Sequence, residues 1–587
     1  MASTIWALLL FLAQLQILFS TSSAHGDAGN LTSVSVTFLC NPDQANALLQ
    51  LKKSFFFDRS TTRLQSWRDG TDCCVWEGVG CDASSGNVTV LDLNNRGLSS
   101  YGLDPAIFNL TSLRLLDLSM NDFCRNIDYS TSIMGLADNI PATGFENFAL
   151  LTHLNLSNSG FRGQIPSGIS KLVNLLSLDI SSPIDYSFYY EQYDDYYENY
   201  GSNYLFEPNF GALVGNLSSL RELLLDGVEL SANEDWCISL ATSVPNLKVL
   251  SLASCGLSGP VHKSLSRLQS LSVINLQGNY FITAGPFPEF FMDLLNLTML
   301  QLSETNLEGW FPSRSFQSKN LRVLDLSSNW NLSGYMPNFS NASSLETLRL
   351  EGTNFSFANQ ESSSDLKLLK ELSLDGNLIS VDFLSSLGRL GSLEQLYLGF
   401  GSVNKLGSIF TWIGDHNNLT SLELVGCNFS MTTPSSVSNF KNLRRLAMID
   451  SNLPGPIISA ISDLMHLQTL EMESCKTYGS IPSSFGNLKS LINIYVTDSG
   501  FSGPLPAAVG NLTNLERMVI QDSSISGTVP YTVGQLNKLR RLILKGCNLF
   551  GKIPSSIANL TRLTILDLSF NGLQDFASKY KSRIIAG

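Results

Sequence analysis

The sequence predicts an α/β repeat protein: a solenoid in which one short strand per repeat builds a parallel sheet on the concave face of a curved superhelix. Two observations predict this fold. The segment L-x-x-L-x-L recurs along most of the 587 residues, and its last seven copies begin 24 residues apart, from Leu419 to Leu563. The chain is also 43% hydrophobic and only 15% charged, which is too apolar for a largely disordered polypeptide.

An apolar segment opens the chain. Residues Ile5 to Phe19 are uncharged, and the small residues Ser22 and Ala24 precede a possible cleavage site at His25. This arrangement predicts a secretory signal peptide over residues 1–24. An uncleaved membrane anchor is less favoured, because a membrane span needs about 20 apolar residues. Secretion permits disulfides and N-linked glycans.

Fourteen N-x-S/T sequons are candidate glycosylation sites, although some of them also arise from the repeat consensus. They are at Asn30, Asn87, Asn109, Asn155, Asn216, Asn296, Asn331, Asn338, Asn341, Asn354, Asn418, Asn428, Asn511 and Asn559.

Residues 25–87 are predicted to form an amino-terminal cap, which shields the core of the first repeat from water. Asn41, Pro42 and Gln44 stand in the order of an N-cap, a first and a third helical residue, which predicts a helix start. The cap contains four cysteines, Cys40, Cys73, Cys74 and Cys81. Four cysteines allow three pairings. The adjacent Cys73 and Cys74, with no histidine nearby, do not suit a zinc site.

About nineteen repeats cover residues 88–575, from Val88 to Leu563 as first positions. Their period is that of leucine-rich repeats. Positions 1, 4 and 6 of each copy are predicted to point into the core and positions 3, 5 and 7 outward, as a strand requires. Position 9 is often asparagine, whose amide is expected to satisfy backbone groups of the following turn, at Asn121, Asn279, Asn329, Asn377 and Asn571.

Cysteine replaces asparagine at position 9 in four copies, and we expect buried structural thiols there rather than a redox or metal cluster. These residues are Cys255, Cys427, Cys475 and Cys547. Cys124 and Cys237 have no such assignment and are either free or paired.

Many copies continue as x-G-x-I-P, for example Gly479 to Pro482 and Gly503 to Pro506. In this respect residues 88–575 resemble the plant-specific class of leucine-rich repeats. The run C-C-x-W-x-G-V-x-C from Cys73 to Cys81 resembles the cap of plant leucine-rich-repeat receptors and of polygalacturonase-inhibiting proteins. The resemblance implies a disulfide-bonded helical cap with bridges Cys40–Cys73 and Cys74–Cys81.

Two insertions interrupt the repeats, near residues 124–140 and 183–210. The second holds eight tyrosines and six acidic residues between Pro183 and Pro208. Insertions in such arrays are loops on one face, often the binding face. The segment is therefore either a solvated acidic loop or an aromatic and acidic recognition loop for a basic partner.

A change in the outward columns predicts a ligand-binding patch. Positions 5 and 7 carry short polar residues in early repeats, such as Asp325 and Ser327. From Leu393 onward they carry aromatic, aliphatic or glutamate residues. Exposed apolar side chains on a sheet indicate a surface that a partner covers. The alternative is neutral drift, or coverage by glycans or neighbouring subunits. The candidate ligand-binding residues are Tyr397, Glu423, Val425, Ile449, Glu471, Glu473, Tyr495, Thr497, Val519, Gln521, Ile543 and Lys545.

Charge and motifs exclude other functions. A net charge of −13 without a basic cluster argues against nucleic-acid binding. The five histidines form no metal-binding spacing, and no nucleophile elbow or phosphate loop occurs. Asp117, Asp325 and Asp567 recur at position 5, but as a solvated strand consensus rather than as paired catalytic carboxylates. We therefore expect no enzymatic activity, no cofactor and no metal site.

The stretches from Leu252 to Leu271 and from Phe287 to Pro312 resemble plant receptor-like proteins of the disease-resistance kind. The resemblance implies an extracellular ectodomain that recognises a pathogen-derived or endogenous peptide, protein or glycan on its concave face, in the apoplast or at the outer face of the plasma membrane. It also implies signalling through a partner kinase. The alternative functions are a secreted inhibitor of cell-wall-degrading enzymes and a soluble decoy.

The end of the chain departs from that family. Residues 576–587 form a non-repeat tail, and no capping cysteine pair or membrane span follows the last repeat. The sequence therefore suggests a truncated gene model, a disrupted allele or a soluble secreted form.

Overall fold

The structure is a computed structural model of the chain. It describes residues 40–56, 64–123, 140–182, 205–335, 344–357, 366–374, 378–380, 387–399, 418–429 and 440–574, together with Phe339, Phe383 and Val437. Several predictions concern other residues and lie outside this description. They are the signal peptide 1–24, Asn30, Cys124, Asn338, Asn341, Asn377, most of both insertions and the tail 576–587.

One sheet of 20 strands runs through the described repeats. Its first strand, Val79–Cys81, belongs to the cap and pairs antiparallel with Val88–Asp92. The strands that follow pair in parallel, each with the next along the chain. This confirms the predicted solenoid. The strands of the repeats are Val88–Asp92, Leu115–Asp117, His153–Asn155, Ser177–Asp179, Glu222–Leu224, Val249–Ser251, Val273–Asn275, Met299–Gln301, Val323–Asp325, Thr347–Arg349, Glu371–Leu374, Gln395–Gly399, Ser421–Val425, Arg445–Ile449, Thr469–Glu473, Asn493–Thr497, Arg517–Gln521, Arg541–Lys545 and Ile565–Asp567.

The leucines of the repeat form the core by stacking on their counterparts. Leu116 pairs with Leu154 and Leu154 with Leu178, and all three are at most 1% exposed. Because the register does not shift there, each leucine meets the same residue type on the next repeat. Burying one such side chain stabilises the fold by about 1.5–3 kcal/mol.

A left-handed backbone turn at position 8 ends many of these strands. Its φ is 49° at Asn95, 51° at Asn158 and 49° at Asp450, and glycine occupies the position in other repeats, as at Gly278 with φ 72°. Glycine, asparagine and aspartate tolerate this conformation best. The composition of position 8 is only a partial signal for this turn, because Met120, Glu304 and Phe570 adopt the same conformation, with φ of 58°, 56° and 54°.

The asparagines at position 9 form the predicted ladder. The Asn121 side-chain nitrogen donates to the carbonyl of Leu118 in its own repeat and to that of Leu93 in the preceding repeat, at 2.9 Å each. Its oxygen accepts from the Leu98 backbone nitrogen at 2.9 Å. Asn329 is held in the same way. The ladder thus satisfies buried backbone groups that the turn removes from the sheet.

Short strands and 3₁₀ turns close the other side of many of the described repeats, and one 3₁₀ turn lies in the cap. The flanking strands are Gly163–Gln164, Leu205–Phe206, Glu308–Trp310, Asn331–Tyr335, Asn354–Phe357, Leu378–Ile379, Asn452–Leu453, Lys476–Thr477, Ser502–Pro504, Ser524–Gly527, Asn548–Lys552 and Gly572–Gln574. The 3₁₀ turns are Cys73–Val75, Pro105–Asn109, Phe145–Asn147, Ser167–Lys171, Lys263–Arg267, Glu289–Asp293, Ser483–Asn487, Ala507–Asn511, Tyr531–Gln535 and Ser555–Asn559. Short α-helices occur at Phe210–Val214, Trp236–Ser243 and Gly455–Ile461.

The cap contains the α-helix Pro42–Ser54, which begins where the sequence predicts. Asn41 is its N-cap and accepts from the Asp43 backbone nitrogen at 3.0 Å. Gln44 does not close a capping box. Its side-chain oxygen instead accepts from the Val88 backbone nitrogen at 2.6 Å and joins the helix to the first repeat.

Two disulfides hold the cap together, with the pairing that the family resemblance implied. They join Cys40 to Cys73 and Cys74 to Cys81, each with a Cα–Cα distance of 5.4 Å. The four sulfur atoms lie close to one another, but the disulfides already bond them in pairs.

The cysteines at position 9 are buried and replace the ladder asparagine. The Cys255 thiol donates to the Leu225 carbonyl at 3.1 Å, and the Cys475 thiol donates to the Met448 carbonyl at 3.1 Å. Cys237 is a free thiol in the helix Trp236–Ser243. Burial raises the pKa of Cys475 to about 11 and that of Cys237 to about 12. Such thiols are unreactive at neutral pH because little thiolate forms.

Candidate ligand-binding surface

The strands lengthen where the outward columns change. From Gln395–Gly399 to Arg541–Lys545 every strand has five residues, whereas Leu115–Asp117 and Val323–Asp325 have three. In four of the short strands, an aspartate at position 5 accepts from the backbone N–H of position 7, as Asp325 does from Ser327 at 3.0 Å. In these strands position 7 no longer donates its backbone N–H to the neighbouring strand. In the seven later strands the ladder continues to position 7, and none of them has aspartate at position 5.

These seven five-residue strands form the C-terminal concave surface. Position 5 brings the predicted residues into one row, in the order Tyr397, Glu423, Ala447, Glu471, Tyr495, Val519 and Ile543. Position 7 forms a second row, in the order Gly399, Val425, Ile449, Glu473, Thr497, Gln521 and Lys545. All twelve candidate residues therefore lie on adjacent strands of a single surface.

The apolar members of these rows are less exposed than the sequence predicts. Tyr397, Tyr495 and Ile543 are partly buried, and Val519 is only 8% exposed. Ala447 is fully buried, because long side chains from neighbouring strands surround this small residue. Tyr495, Val519 and Ile543 thus form a packed stretch of position 5, the apolar row, rather than a set of protruding side chains. The same column carries charged glutamates at Glu423 and Glu471.

Arg445 at position 3 joins the two glutamates of the row and is not among the residues predicted from positions 5 and 7. Its guanidinium contacts the carboxylates of Glu423 at 2.7 Å and Glu471 at 2.6 Å, one strand away on either side. Burial alone would lower the pKa of Arg445, but the hydrogen bond to Glu423 and the charge of Glu471 raise it above its ordinary value. The arginine therefore fixes both acids in place.

The two edges of the surface carry opposite charges. Position 3 supplies arginine at Arg517 and Arg541, in the same column as the paired Arg445, and position 8 supplies exposed aspartate at Asp450, Asp498 and Asp522. The apolar row lies between these edges. Lys545 lies with its ammonium 5.5 Å from the centre of the Phe570 ring in the next repeat, which holds this cation at one end.

The described sequons leave this surface clear of glycans. Within its span, Asn418 precedes a strand, Asn428 follows one, and Asn511 ends the 3₁₀ turn Ala507–Asn511. In the N-terminal part of the sheet, by contrast, the sequon Asn155 lies at position 5 of a concave strand. The other described sequons are at Asn87, Asn109, Asn216, Asn296, Asn331, Asn354 and Asn559.

The early aspartates are not solvated as the sequence predicts. Asp117 and Asp325 are 4% and 3% exposed, because each side chain folds back onto the serine two residues on. Burial raises the pKa of Asp179, in the same position, from 3.8 to about 6 despite hydrogen bonds from Ser181. Asp567 in the last repeat is more exposed and makes the same contact. These carboxylates hold turns and do not face one another as a catalytic pair.

No helix that the structure describes has both the length and the apolar character needed to cross a membrane.

Comparisons with known proteins agree with the architecture. A family model for the leucine-rich-repeat N-terminal domain matches residues 41–82, and a leucine-rich-repeat model matches residues 150–172 and 538–560. The chain is similar to Receptor-like protein 6 of Arabidopsis thaliana, with 30% identity over 381 residues, 62% of this chain and 30% of that protein. It is similar to Receptor-like protein EIX1 of Solanum lycopersicum, with 32% identity over 343 residues, 55% of this chain and 29% of that protein.

The chain spans about a third of the length of these curated relatives. Among solved structures, the leucine-rich-repeat ectodomain of the Arabidopsis receptor kinase HAESA, in complex with an extended IDA peptide hormone, aligns with a TM-score of 0.48 and 22% identity. That alignment covers 93% of this chain and 97% of the other.

Proposed function

Because this leucine-rich-repeat chain resembles plant receptor-like proteins, we propose that it is the extracellular ligand-recognition region of such a protein, in pathogen perception and defence signalling. The observation that carries the proposal is the C-terminal concave surface. There, the last three of the seven long strands hold the apolar row between a cationic and an anionic edge, and no described sequon interrupts it.

The proposed ligand is an extended peptide or an exposed segment of a protein. Apolar side chains of the ligand would cover Tyr495, Val519 and Ile543, since interfaces place apolar and aromatic groups at the centre and polar groups at the rim. Acidic side chains would face Arg517 and basic ones Asp498. A glycan ligand fits less well, because the row is apolar and partly buried.

A co-receptor kinase is the proposed signalling partner, in any form of the protein that is held at the plasma membrane. This part of the proposal rests on the family resemblance, which implies signalling through a partner kinase. In this proposal the region described here lies in the apoplast or at the outer face of the membrane.

A secreted inhibitor of cell-wall-degrading enzymes, or a soluble decoy, is the second candidate. The disulfide-bonded cap supports it, since the cap run resembles that of polygalacturonase-inhibiting proteins as well as that of receptors. Measuring polygalacturonase activity with and without the purified chain separates the two functions. Inhibition at stoichiometric concentration would favour the inhibitor.

The recognition function is tested by selecting binders from a random peptide library on the secreted chain and measuring their affinity for a Tyr495→Asp/Ile543→Asp variant. We expect the variant to lose affinity by about tenfold or more, because a new carboxylate buried under an apolar ligand side chain costs more than about 1.4 kcal/mol. The control is Tyr531→Asp, at an exposed tyrosine in the 3₁₀ turn Tyr531–Gln535. Selected peptides that bind the double variant as tightly as the original chain would refute the proposal.

A further inference from the structure

A second surface, away from the concave face, carries two exposed aromatic rings. It is the outer side of the small parallel sheet Glu308–Trp310, Asn331–Tyr335, Asn354–Phe357 and Leu378–Ile379. Along Asn331–Tyr335 burial alternates, so Leu332 and Gly334 point inward while Asn331, Ser333 and Tyr335 point outward. We call the outward-facing side of this small sheet the flank face.

Trp310 and Tyr335 form an aromatic pair on the flank face. Trp310 is 60% and Tyr335 65% exposed, and their rings meet edge to face with centroids 5.4 Å apart. Leaving two large apolar rings together in water is unfavourable, and such a patch usually has something to cover it. The rings hold each other in one geometry, which provides a ready-made platform.

Two sequons lie on the same face. Asn331-Leu332-Ser333 and Asn354-Phe355-Ser356 each place their asparagine outward and exposed. In the sheet, Trp310 pairs with Ser333, and Glu308 pairs with Asn331. Asn331 is therefore a diagonal neighbour of Trp310, with Cα atoms about 8 Å apart for ordinary strand spacing and rise.

We propose that an N-linked glycan on Asn331 covers the Trp310 and Tyr335 rings, with its first N-acetylglucosamine units packed across the aromatic pair. The C–H groups of a sugar ring carry partial positive charge and suit the negative face of an aromatic ring. Asn331 is the better placed of the two acceptors, because its strand carries Tyr335 and pairs directly with that of Trp310, whereas Asn354 lies one strand farther from Trp310.

The position of Asn331 favours its own glycan over a protein partner as the occupant. A glycan at Asn331 is bulky and stands beside the ring pair, so it would block the approach of a flat protein surface. The attached sugar has no translational freedom left to lose, and binding to the rings therefore costs little entropy. This inference rests on the extracellular part of the proposed function and is independent of the ligand.

The experiment compares Ser333→Ala, which destroys the sequon, with Ser333→Thr, which keeps it. Both proteins are secreted from a eukaryotic host behind a standard leader, so glycosylation does not depend on the chain's own targeting. Glycopeptide mass spectrometry measures occupancy at Asn331. Hydroxyl-radical footprinting measures the oxidation rate of Trp310 and Tyr335, with exposed Tyr478 on a later repeat as the internal reference.

We expect Asn331 to carry a glycan in the Ser333→Thr protein. In that protein Trp310 and Tyr335 should oxidise at roughly half the rate seen in the Ser333→Ala protein, or slower, because the sugar removes water from the rings. Tyr478 should oxidise equally in both. The proposal is overturned if Asn331 is unoccupied, if the rings oxidise at the same rate in both proteins, or if Tyr478 changes as much as they do. None of these results bears on peptide recognition, so the two proposals fail separately.

Discussion

Asp179 and Asn155 occupy the same position in neighbouring repeats and make the same contact. Each side-chain oxygen accepts from the backbone nitrogen of the serine two residues on, at 3.0 Å. Only the aspartate must also keep a charge in a partly buried site, which raises its pKa from 3.8 to about 6. The turn therefore needs the oxygen but not the charge.

We predict that Asp179→Asn stabilises the protein at pH 7. In the folded state the carboxyl takes up its proton near pH 6, and in the unfolded state only near pH 4, so the aspartate makes folding less favourable as pH rises through this window. The amide should add about 1–2 kcal/mol to the free energy of unfolding at pH 7 and flatten its pH dependence between about pH 4 and 6.

Urea unfolding at several pH values measures this effect. Asp567→Asn is the matched control, because that residue makes the same contact at a more exposed site and should give almost no gain. Equal effects of the two substitutions would mean that burial is not the cause.

The role of a single residue can be predicted from the sequence only when its interaction partners lie nearby or at a fixed spacing. The ladder asparagines and position 9 cysteines are predictable, because their partners lie at fixed spacing in every repeat. Arg445 is not, since it acts only through Glu423 and Glu471 on two other strands. The burial of Val519 likewise depends on the lengths of neighbouring side chains. The residue types at position 5 alone do not give this information.

The helix Pro42–Ser54 shows how one element is attached to the next. The sequence predicts its start at Asn41, with Gln44 as the third helical residue of that start. Its side chain is instead 5% exposed and accepts from the Val88 backbone nitrogen, the first residue of the first repeat strand. A local motif cannot reveal such a partner, which lies 44 residues away.

We predict that Gln44→Leu weakens the junction between cap and repeats. The substitution keeps the approximate size of the side chain but leaves the Val88 N–H buried without an acceptor, which costs about 1–3 kcal/mol. The free energy of unfolding should fall by that amount. Gln50→Leu on the exposed side of the same helix should change it by less than about 0.5 kcal/mol. A similar loss in both variants would indicate a general effect of leucine on the helix.

Across the whole molecule, the large acidic insertion is flanked by firmly attached residues. Ser182 donates from its backbone nitrogen to the Asp226 carbonyl at 2.7 Å, and the strand Leu205–Phe206 pairs with Gly163–Gln164. The insertion thus leaves and re-enters the solenoid at points that already belong to the array. Its role as a recognition loop for a basic partner stays a prediction.

We predict that replacing residues 185–203 with a glycine and serine linker of about five residues leaves the thermal midpoint unchanged within about 2 °C, since surface loops change stability little with length. Extending the replacement through Phe206 should lower the midpoint, because it removes the pairing with Gly163–Gln164. If the shorter replacement leaves the affinity of selected peptides unchanged, the recognition role of the loop is refuted.

The asparagine ladder also has a direction. Asn121, Asn279 and Asn329 each donate to a carbonyl of the preceding repeat, at Leu93, Leu252 and Leu302. A ribosome delivers the chain from the amino end, and domains fold in that order during synthesis. A repeat that emerges during synthesis therefore finds the acceptors of its ladder asparagine on the repeat made before it.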